Sequence, residues 1–310
     1  MDLHSVSTVK RLDLSSLNTE QIKAFQALTK PEFYPCLYSK NPHGIPHTKI
    51  VAIASIIDGK PAGLILATIY SKLHIAEVDS FFVSEAFRDH HIGTELLREL
   101  DKELEKEGCY LVTYVYPAED PLTPTLEHVL QNTGWATSSL FTIKCLFDCR
   151  LFNPPWFQKE YLLPVGFEIF QWQDLTAQER KVLMRREDQG SIHQSVSPFI
   201  EEERIEYVNS IGLRYKNDVV GWMITHRMSP DLMRYTSLYI ERSLQLQGPA
   251  IYLLAESIKR QQRSPIQWSI LEVNVNQTEL SWLSFLKRKL IPHAQSVTRT
   301  LQAWKKLGTE

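Results

Sequence analysis

The stretch Gln245-Leu246-Gln247-Gly248-Pro249-Ala250 follows an apolar, strand-like run and opens a helix-like one. A second copy, Arg88-Asp89-His90-His91-Ile92-Gly93, stands in the same context in the first half of the chain. Both follow the pattern Gln/Arg-x-x-Gly-x-Gly/Ala, except that His91 replaces the first glycine. A turn of small residues before a helix N-terminus lets backbone N–H groups approach an anion closely. The two stretches therefore predict a phosphate-binding turn in each half.

The elements around the two turns recur in the same order. The first half predicts a hairpin that turns at Asp58-Gly59, a strand over 77–83, a helix after residue 93, a strand over 110–116, a helix over 126–130 and a strand over 139–147. The second half predicts a hairpin that turns at Asn217-Asp218, a strand over 234–240, a helix over 250–260, a strand over 266–276, a helix over 280–290 and a strand over 296–304. This repetition indicates a duplicated unit.

Two similar α/β (α+β) domains follow from the repetition, each with a mixed, mostly antiparallel sheet flanked by helices. Aligning Leu96-Leu97 with Leu253-Leu254 brings Ser80 onto Ser237 and Gly93 onto Ala250 without gaps. Prolines at 154, 155 and 164 resist regular structure between the halves. The predicted organisation is an N-terminal domain over 1–150, a linker over 151–165 and a C-terminal domain over 166–310.

Composition excludes several classes of function. The 310 residues carry a net charge of −2, which does not favour a nucleic-acid partner. The four cysteines lack the spacing of metal ligands, so we expect no metal. Residues 1–13 contain no apolar signal segment, and the run over 61–70 is too short to span a bilayer. We expect a cytoplasmic protein without a membrane span.

The turn motifs and element order resemble those of the Gcn5-related N-acetyltransferase (GNAT) superfamily, as a tandem-domain member. The resemblance implies an N-acyltransferase that moves an acyl group from coenzyme A (CoA) to a primary amine on a small molecule or peptide. It implies that acyl-CoA contacts Tyr239, Ile240, Gln245, Gln247, Gly248, Pro249, Ala250 and Asn276 in the second half, and Val83, Arg88, Gly93 and Thr94 in the first. His91 and the negative Asp89 weaken the first turn, so we expect the second half to bind CoA more tightly.

The candidate catalytic residues are Glu272, Tyr239 and Glu77. Strand periodicity places Glu272 on one face with Asn274 and Asn276, where it is the candidate general base of the second half. The resemblance assigns the oxyanion to a backbone N–H at Tyr239 or Ile240. Glu77, which shares a face with Asp79, is the alternative base if the first half is the active one.

The family's tyrosine acid is missing from both halves, where Leu130 and Leu283 stand at the matching positions. Tyr239 or a water could then protonate the leaving thiolate. An apolar lining from Trp282, Leu283, Phe285 and Leu286 favours acyl groups longer than acetyl. Two alternatives therefore stay open: a fatty-acyl transferase that lipidates Lys or Orn side chains of a ribosomal peptide, and a non-catalytic acyl-CoA sensor or scaffold.

Overall fold

Two units make up the fold of the computed structural model, which describes residues 7–42 and 44–308. Unit 1 consists of the residues up to Phe141 and those from Arg299 onward, and unit 2 is Thr142–Thr298. The sequence analysis found no apolar signal segment over residues 1–13, and residues 1–6 of that range lie outside the described residues. No helix of the described part is long and apolar enough to cross a membrane.

Unit 1 is built from seven strands or parts of strands and three α-helices among its described residues. In chain order these are β1 (Ser7–Arg11), α1 (Thr19–Gln26), β2 (Thr48–Ile57), β3 (Lys60–Tyr70), β4 (Ile75–Val83), α2 (Ile92–Lys106), β5 (Leu111–Pro117), α3 (Thr123–Asn132), the start of β6 (Ser139–Asp148) and, from the end of the chain, most of β12 (Ser296–Lys306). A 3₁₀ helix, Pro31–Leu37, follows α1.

The sheet of unit 1 has the strand order β1-β2-β3-β4-β5-β12. All neighbours are antiparallel except β4 and β5, which are parallel. One face packs on α2 through Leu96, Leu97 and Leu100, and the other packs on α1 through Ile22 and Phe25. The sheet therefore separates two hydrophobic layers, which explains why β2 and β3 read as nearly continuous apolar runs.

Unit 2 repeats this arrangement. After β6 its elements are β7 (Phe167–Gln171), α4 (Ala177–Asp188), β8 (Ile211–Tyr215), β9 (Asp218–Ser229), β10 (Leu232–Ile240), α5 (Pro249–Gln262), β11 (Trp268–Asn274) and α6 (Leu280–Phe285). The strand order is β6-β11-β10-β9-β8-β7, and only β10 and β11 are parallel. The prediction of a mixed, mostly antiparallel α/β fold is confirmed.

The last strand of each half of the sequence pairs with a strand of the other half. β6, which follows the helices of unit 1, pairs with β11, whereas β12 pairs with β5. The units consequently differ from the predicted ranges 1–150 and 166–310. The predicted linker belongs to unit 2, where Phe152, Trp156 and Phe157 are buried.

Three predicted boundaries are wrong for local reasons. The second hairpin turns at Lys216 and Asn217, which both have positive φ, rather than at Asn217-Asp218. β11 ends at Asn274, so Asn276 lies in the following turn and does not share a strand face with Glu272. The predicted helix over 280–290 is α-helical only to Phe285 and continues as a π-helix, Leu286–Leu290.

Candidate functional site

In each unit, the two parallel strands separate part-way along their length. β4 pairs with β5 only from Ile75–Leu111 to Val78–Tyr114. β10 pairs with β11 only from Leu232–Trp268 to Tyr235–Leu271. Beyond these points each fourth strand keeps its antiparallel partner and leaves its parallel one. The remaining backbone edge can hydrogen-bond a ligand that enters between the strands.

A β-bulge marks the point of separation in both units. On β4, Asp79 is the extra residue between the pairs Ala67–Val78 and Leu66–Ser80. On β10, Thr236 is the extra residue between Thr225–Tyr235 and Ile224–Ser237. Bulges reorient side chains and are frequent beside active sites. The residues at these two equivalent positions therefore define what each opening can do chemically.

Asp79 supplies a carboxylate at the opening of unit 1. Its Oδ2 accepts a hydrogen bond of 2.8 Å from the Thr68 hydroxyl. Burial, opposed by the Thr68 hydrogen bond and reinforced by the charge of Glu77, raises the pKa of Asp79 to about 7. The Asp79 carboxyl is therefore in exchange between its two protonation states near neutral pH.

Unit 2 has no carboxylate at the matching position. The hydroxyl of Thr236 donates to Nδ1 of His226 at 2.6 Å, since Nε2 of this histidine donates to the Ile200 carbonyl at 2.9 Å. Burial, and then the charge of Arg234, lower the pKa of His226. Arg234 is itself paired with Glu201 at 2.7 Å. The side chains at this opening are thus mutually satisfied, and His226 serves a structural role.

The turns after β4 and β10 adopt the same backbone conformation at their last residue. His91 (φ 60°, ψ 6°) precedes α2, and Gly248 (φ 84°, ψ 8°) precedes α5. Arg88 Nε donates to the Val83 carbonyl at 3.3 Å, and Gln245 Nε2 donates to the Ile240 carbonyl at 3.1 Å. The two matching side chains therefore tie each turn to the end of its strand.

The two turns differ in the space that they offer an anion. A Cβ built on Gly248 meets nothing within 4 Å, so the backbone there is open to a phosphate. In unit 1 the same position carries the exposed imidazole of His91, and Asp89 also has positive φ (63°). Each turn leads into a helix N-terminus, where anions are favoured, and the backbone of the turn in unit 2 is less obstructed.

Comparison with known proteins shows the fold of the chain and a family match in its first half. Residues 14–126 match the model of the acetyltransferase (GNAT) family. A tandem GNAT protein from the clavulanic acid biosynthesis pathway is 11% identical with a TM-score of 0.59, over 98% of this chain and 100% of its own. Residues 14–126 thus match the GNAT family, and the chain as a whole shares the fold of that tandem protein.

Two further solved structures share the fold of this chain. A GCN5-related N-acetyltransferase from Sphaerobacter thermophilus is 13% identical with a TM-score of 0.57, over 97% of this chain and 95% of its own. A GCN5-related glucosamine N-acetyltransferase region of a fungal multi-domain β-N-acetylglucosaminidase is 11% identical with a TM-score of 0.57. The match covers 97% of this chain and 38% of the other. No curated protein sequence matches the chain. The GNAT family implies acyl transfer from CoA to an amine in general terms.

Of the three predicted catalytic residues, two border an opening. Glu272 is the first residue of β11 beyond its last pair with β10, but it is exposed and lies across from Lys144 on β6. In the described part of the chain, no hydrogen bond or ion pair reaches its carboxylate. Tyr239 lies on β10 beyond the bulge, and its ring stacks on Trp222 at 4.4 Å.

Glu77 lies within the paired part of the GNAT sheet rather than at the opening. It is opposite Thr68 on β3 and Thr113 on β5, and it accepts a hydrogen bond from Tyr70. Asp79, two residues later, is the carboxylate that the strands leave unpaired. Sequence reasoning placed both on one face, but the bulge that separates their roles has no sequence signal.

The predicted CoA-contacting residues cluster by unit. Ile240 and Val83 end their strands, and Pro249 and Ala250 begin α5. Gly93 and Thr94 lie in the first turn of α2, where a Cβ on Gly93 would meet Phe81 at 3.3 Å. The side chain of Gln247 lies outside the described residues. Asn276 is exposed in the turn after β11, and its backbone N–H donates to Asn274 Oδ1 at 3.0 Å.

The apolar residues of α6 pack against the segment that precedes β7. Leu283 and Leu286 are buried, and the Phe285 ring lies 5.3 Å from Trp282 and 5.5 Å from Trp156. The Trp156 indole N–H donates to the Lys289 carbonyl at 3.0 Å. These surfaces are already in contact with one another, which removes the argument for a long acyl pocket there.

A surface groove and a buried cysteine lie on the side of unit 1 that carries the 3₁₀ helix. An open groove of about 520 Å³ lies on unit 1, next to the 3₁₀ helix that covers the Asp79 face, and is lined by Gln26, Tyr34, Pro35, Tyr38, Ser39, Asn41 and Pro42. Cys36, buried within that 3₁₀ helix, has its thiol pKa raised to about 11 by burial and by the charge of Asp79. The described residues contain no cluster of side chains suited to a metal ion.

We expect Asp79→Asn to stabilise unit 1 above neutral pH. Because the folded pKa of Asp79 is raised to about 7, the folded state binds the proton more tightly than the unfolded state. Stability therefore falls as the pH rises from the ordinary aspartate pKa of about 4 through 7. Asparagine removes this penalty and can still accept from Thr68. Melting temperatures at pH 5 and pH 8 test the expectation, and a variant no more stable at pH 8 than wild type would contradict it.

We expect His91→Gly to lower the KM for acetyl-CoA. Glycine removes the side chain beside the turn and relieves a left-handed conformation that costs about 1 kcal/mol. Glycine also gives the unfolded chain more conformational freedom, which costs about 0.4–1 kcal/mol of stability and offsets the relieved strain. The melting temperature should therefore change little. His90→Ala is the matched control, since His90 does not have positive φ. A higher KM for His91→Gly would show instead that the imidazole helps to hold the phosphates.

Proposed function

We propose that unit 1 is an acetyl-CoA-dependent N-acetyltransferase for a primary amine, with Asp79 as its general base. The observation that carries the proposal is the position of Asp79, at the bulge where β4 leaves β5. The family model also covers this part of the chain, over residues 14–126. These observations favour unit 1 as the catalytic unit. The turn motif alone had favoured the second half of the chain.

Asp79 suits an acceptor that arrives as an ammonium ion. A primary amine has a pKa of about 10 and must lose a proton before its nitrogen can attack. The carboxylates of Glu77 and Asp79 lie two residues apart on β4 and attract the cation. A base with a pKa near 7 is largely ionised at neutral pH and is still basic enough to accept the proton. Thr68 orients the carboxylate through its hydrogen bond to Oδ2.

The donor fits the turn over 84–91 and the N-terminus of α2. The backbone amides there favour the pyrophosphate, and Arg88 adds a positive charge. The unpaired edge of β4 beyond Val78 offers backbone groups to the pantetheine arm. Acetyl-CoA, when bound, supplies the thioester carbon that the amine attacks. Gly93 matters because any larger residue would be pressed against Phe81 and Val129.

We further propose a short acyl group and a supporting role for unit 2. The packing of Leu283, Phe285 and Leu286 argues against an apolar acyl channel in that unit. Thr236 and His226 replace the Asp79–Thr68 pair, so unit 2 lacks a base at its bulge. The open turn at Gly248 still fits CoA. Unit 2 would then bind CoA without transferring its acyl group. In this respect unit 2 corresponds to the alternative of a non-catalytic acyl-CoA sensor.

The test measures CoA thiol release with a panel of primary amines, using acetyl-CoA and octanoyl-CoA as donors, with the product mass verified by mass spectrometry. We expect amine-dependent turnover with acetyl-CoA. Preference for octanoyl-CoA would support the lipidating alternative. Binding of CoA without turnover on any amine, from lysine peptides to small polyamines, would overturn the enzyme proposal in favour of the sensor.

A further inference from the structure

The residue that follows Asp79 is hydrogen-bonded to a different part of unit 1. Ser80 is the first residue of β4 after the bulge, and its Oγ accepts a hydrogen bond of 2.7 Å from the hydroxyl of Thr29. Thr29 lies between α1 and the 3₁₀ helix Pro31–Leu37. Because Ser80 is buried, removal of either hydroxyl leaves the other without this partner at a place that water reaches poorly.

The segment over residues 28–37, which we call the cover segment, lies on the sheet face that carries Asp79. Its Cys36 is fully buried in the hydrophobic cluster that contains Leu66 of β3. Leu66 shares a strand face with Thr68, the hydrogen-bond partner of Asp79. Burial and then the charge of Asp79 raise the pKa of the Cys36 thiol, so the two side chains are near each other. The cover segment therefore shields Asp79 on this side.

Unit 2 contains the equivalent hydrogen bond without the carboxylate. Ser237 is the first residue of β10 that pairs again with β9 after the bulge, and its hydroxyl donates to the Val196 carbonyl at 2.7 Å. Val196 ends a short 3₁₀ helix, Gln194–Val196, in the segment that follows α4. Thr236 stands at the bulge where unit 1 has Asp79. Each unit thus connects the serine after its bulge to the segment after its first helix, and in unit 1 this connection lies beside a carboxylate.

We propose that Thr29 and Ser80 are positioning residues, whose hydrogen bond holds the cover segment over Asp79 and keeps the carboxyl group shielded from water. This inference rests on the proposed function, in which Asp79 is the base. Water that reaches a carboxylate stabilises its charged form, which lowers its pKa and makes it a weaker base. Loss of the hydrogen bond should therefore weaken proton transfer without touching the amine or the donor.

The charges around Asp79 stay the same when this hydrogen bond is removed. Glu77 lies on the same strand, Tyr70 ends β3 and Cys36 belongs to the cover segment, and each of them interacts electrostatically with Asp79. Tyr70 and Cys36 are neutral near pH 7, because their pKa values are raised. The buried side chains that α1 packs on this face are apolar. A changed pKa of Asp79 would consequently report its hydration.

The test combines variants of both partners with a control in unit 2. Thr29→Val and Ser80→Ala each remove one hydroxyl, whereas Thr29→Ser keeps it. We expect the acidic limb of the kcat profile to move down by about 0.5–1 pH unit in the first two variants, with kcat at pH 8 lowered by about three- to tenfold. Thr29→Ser should retain the wild-type profile, and the double variant should lose no more than either single variant. Ser237→Ala removes the matching hydrogen bond of unit 2 and should leave the limb in place.

Alkylation of Cys36 by iodoacetamide, followed by mass spectrometry, examines the cover segment without using activity. We expect it to be about tenfold faster in Thr29→Val and Ser80→Ala than in wild type, because a segment held by one hydrogen bond fewer opens more often. Cys109, buried in the cluster on the α2 face, is the internal control and should react at an unchanged rate. Melting curves verify that each variant folds.

Unchanged alkylation of Cys36, or an acidic limb that does not move in either variant, would overturn the role of this hydrogen bond. An equal shift of the limb in Ser237→Ala would also overturn it, since the effect would then reflect a general loss of stability. Failure of the proposed function looks different, because wild type would not turn over or Asp79→Asn would not slow it. Alkylation of Cys36 would then still decide whether the hydrogen bond holds the cover segment.

Discussion

Asp79→Asn lowers kcat for amine acetylation by about 10²–10⁴-fold at pH 7.5, while the affinity for acetyl-CoA stays within about twofold. The loss is large because a general base contributes about this factor and because Asp79 is the carboxylate at the point where β4 leaves β5. Asparagine keeps the shape of the aspartate side chain and an oxygen that accepts the hydrogen bond from the Thr68 hydroxyl. The measurement is steady-state thiol release, with acetyl-CoA binding followed separately by calorimetry.

The pH profile of Asp79→Asn provides a second readout. In wild type, kcat should rise as the Asp79 carboxyl ionises, with a pKa about 7, and level off above it. The variant should lose this limb.

Glu272→Gln is the control, because it removes the exposed carboxylate that borders the opening of unit 2. We expect its rate and pH profile to match those of wild type. If Glu272→Gln lost activity and Asp79→Asn kept it, catalysis would belong to unit 2.

Gly93→Asp abolishes turnover, whereas Gly248→Asp removes CoA binding at unit 2 and leaves turnover within about threefold of wild type. The side chain introduced by Gly93→Asp would press a carboxylate toward Phe81 and Val129 at the start of α2, beside the phosphates of the reacting donor. Like charges repel, and the cost is largest where water is partly excluded. At Gly248 the added carboxylate meets open space, so apart from the strain of the positive φ its effect falls on the bound anion.

Matched variants separate charge from shape. Gly93→Ala requires a shift of only a few tenths of an ångström, because its Cβ would lie 3.3 Å from Phe81, and it matches Ala250 of unit 2. Gly248→Asn carries the same backbone strain as Gly248→Asp without the charge. Calorimetric stoichiometry counts the CoA sites per chain. Loss of turnover in Gly248→Asp but not in Gly93→Asp would show that the second half holds the reacting donor.

Local patterns in the sequence predicted the elements near the site. Asp58 and Gly59 both adopt positive φ, as a two-residue hairpin turn requires. The leucines of α2 repeat at helical spacing and are buried on one face. The ungapped match of the two halves placed His91 opposite Gly248, and both residues have the left-handed conformation that begins a helix. Each of these features depends on residues only a few positions apart.

The sequence did not indicate the first strands and helices of either half. β1, α1, β7 and α4 were not predicted, because their short apolar patterns are weak on their own. α1 and α4 instead begin with capping boxes, Asn18 with Gln21 and Thr176 with Glu179. Those motifs are a signal that could have located the two helices.

Sequence alone determined that the chain is a duplicated α/β unit with a matching turn before a helix in each copy, since these properties depend on local spacing. Tertiary structure decided the partners of the last strands, because the pairing of β6 with β11 and of β12 with β5 joins residues far apart in the chain. It also decided which carboxylate is buried beside an opening of the sheet. Asp79 gains its raised pKa from burial and its position from a one-residue bulge, whereas Glu272 stays in water. Burial and register arise from contacts between distant residues, which no local pattern encodes.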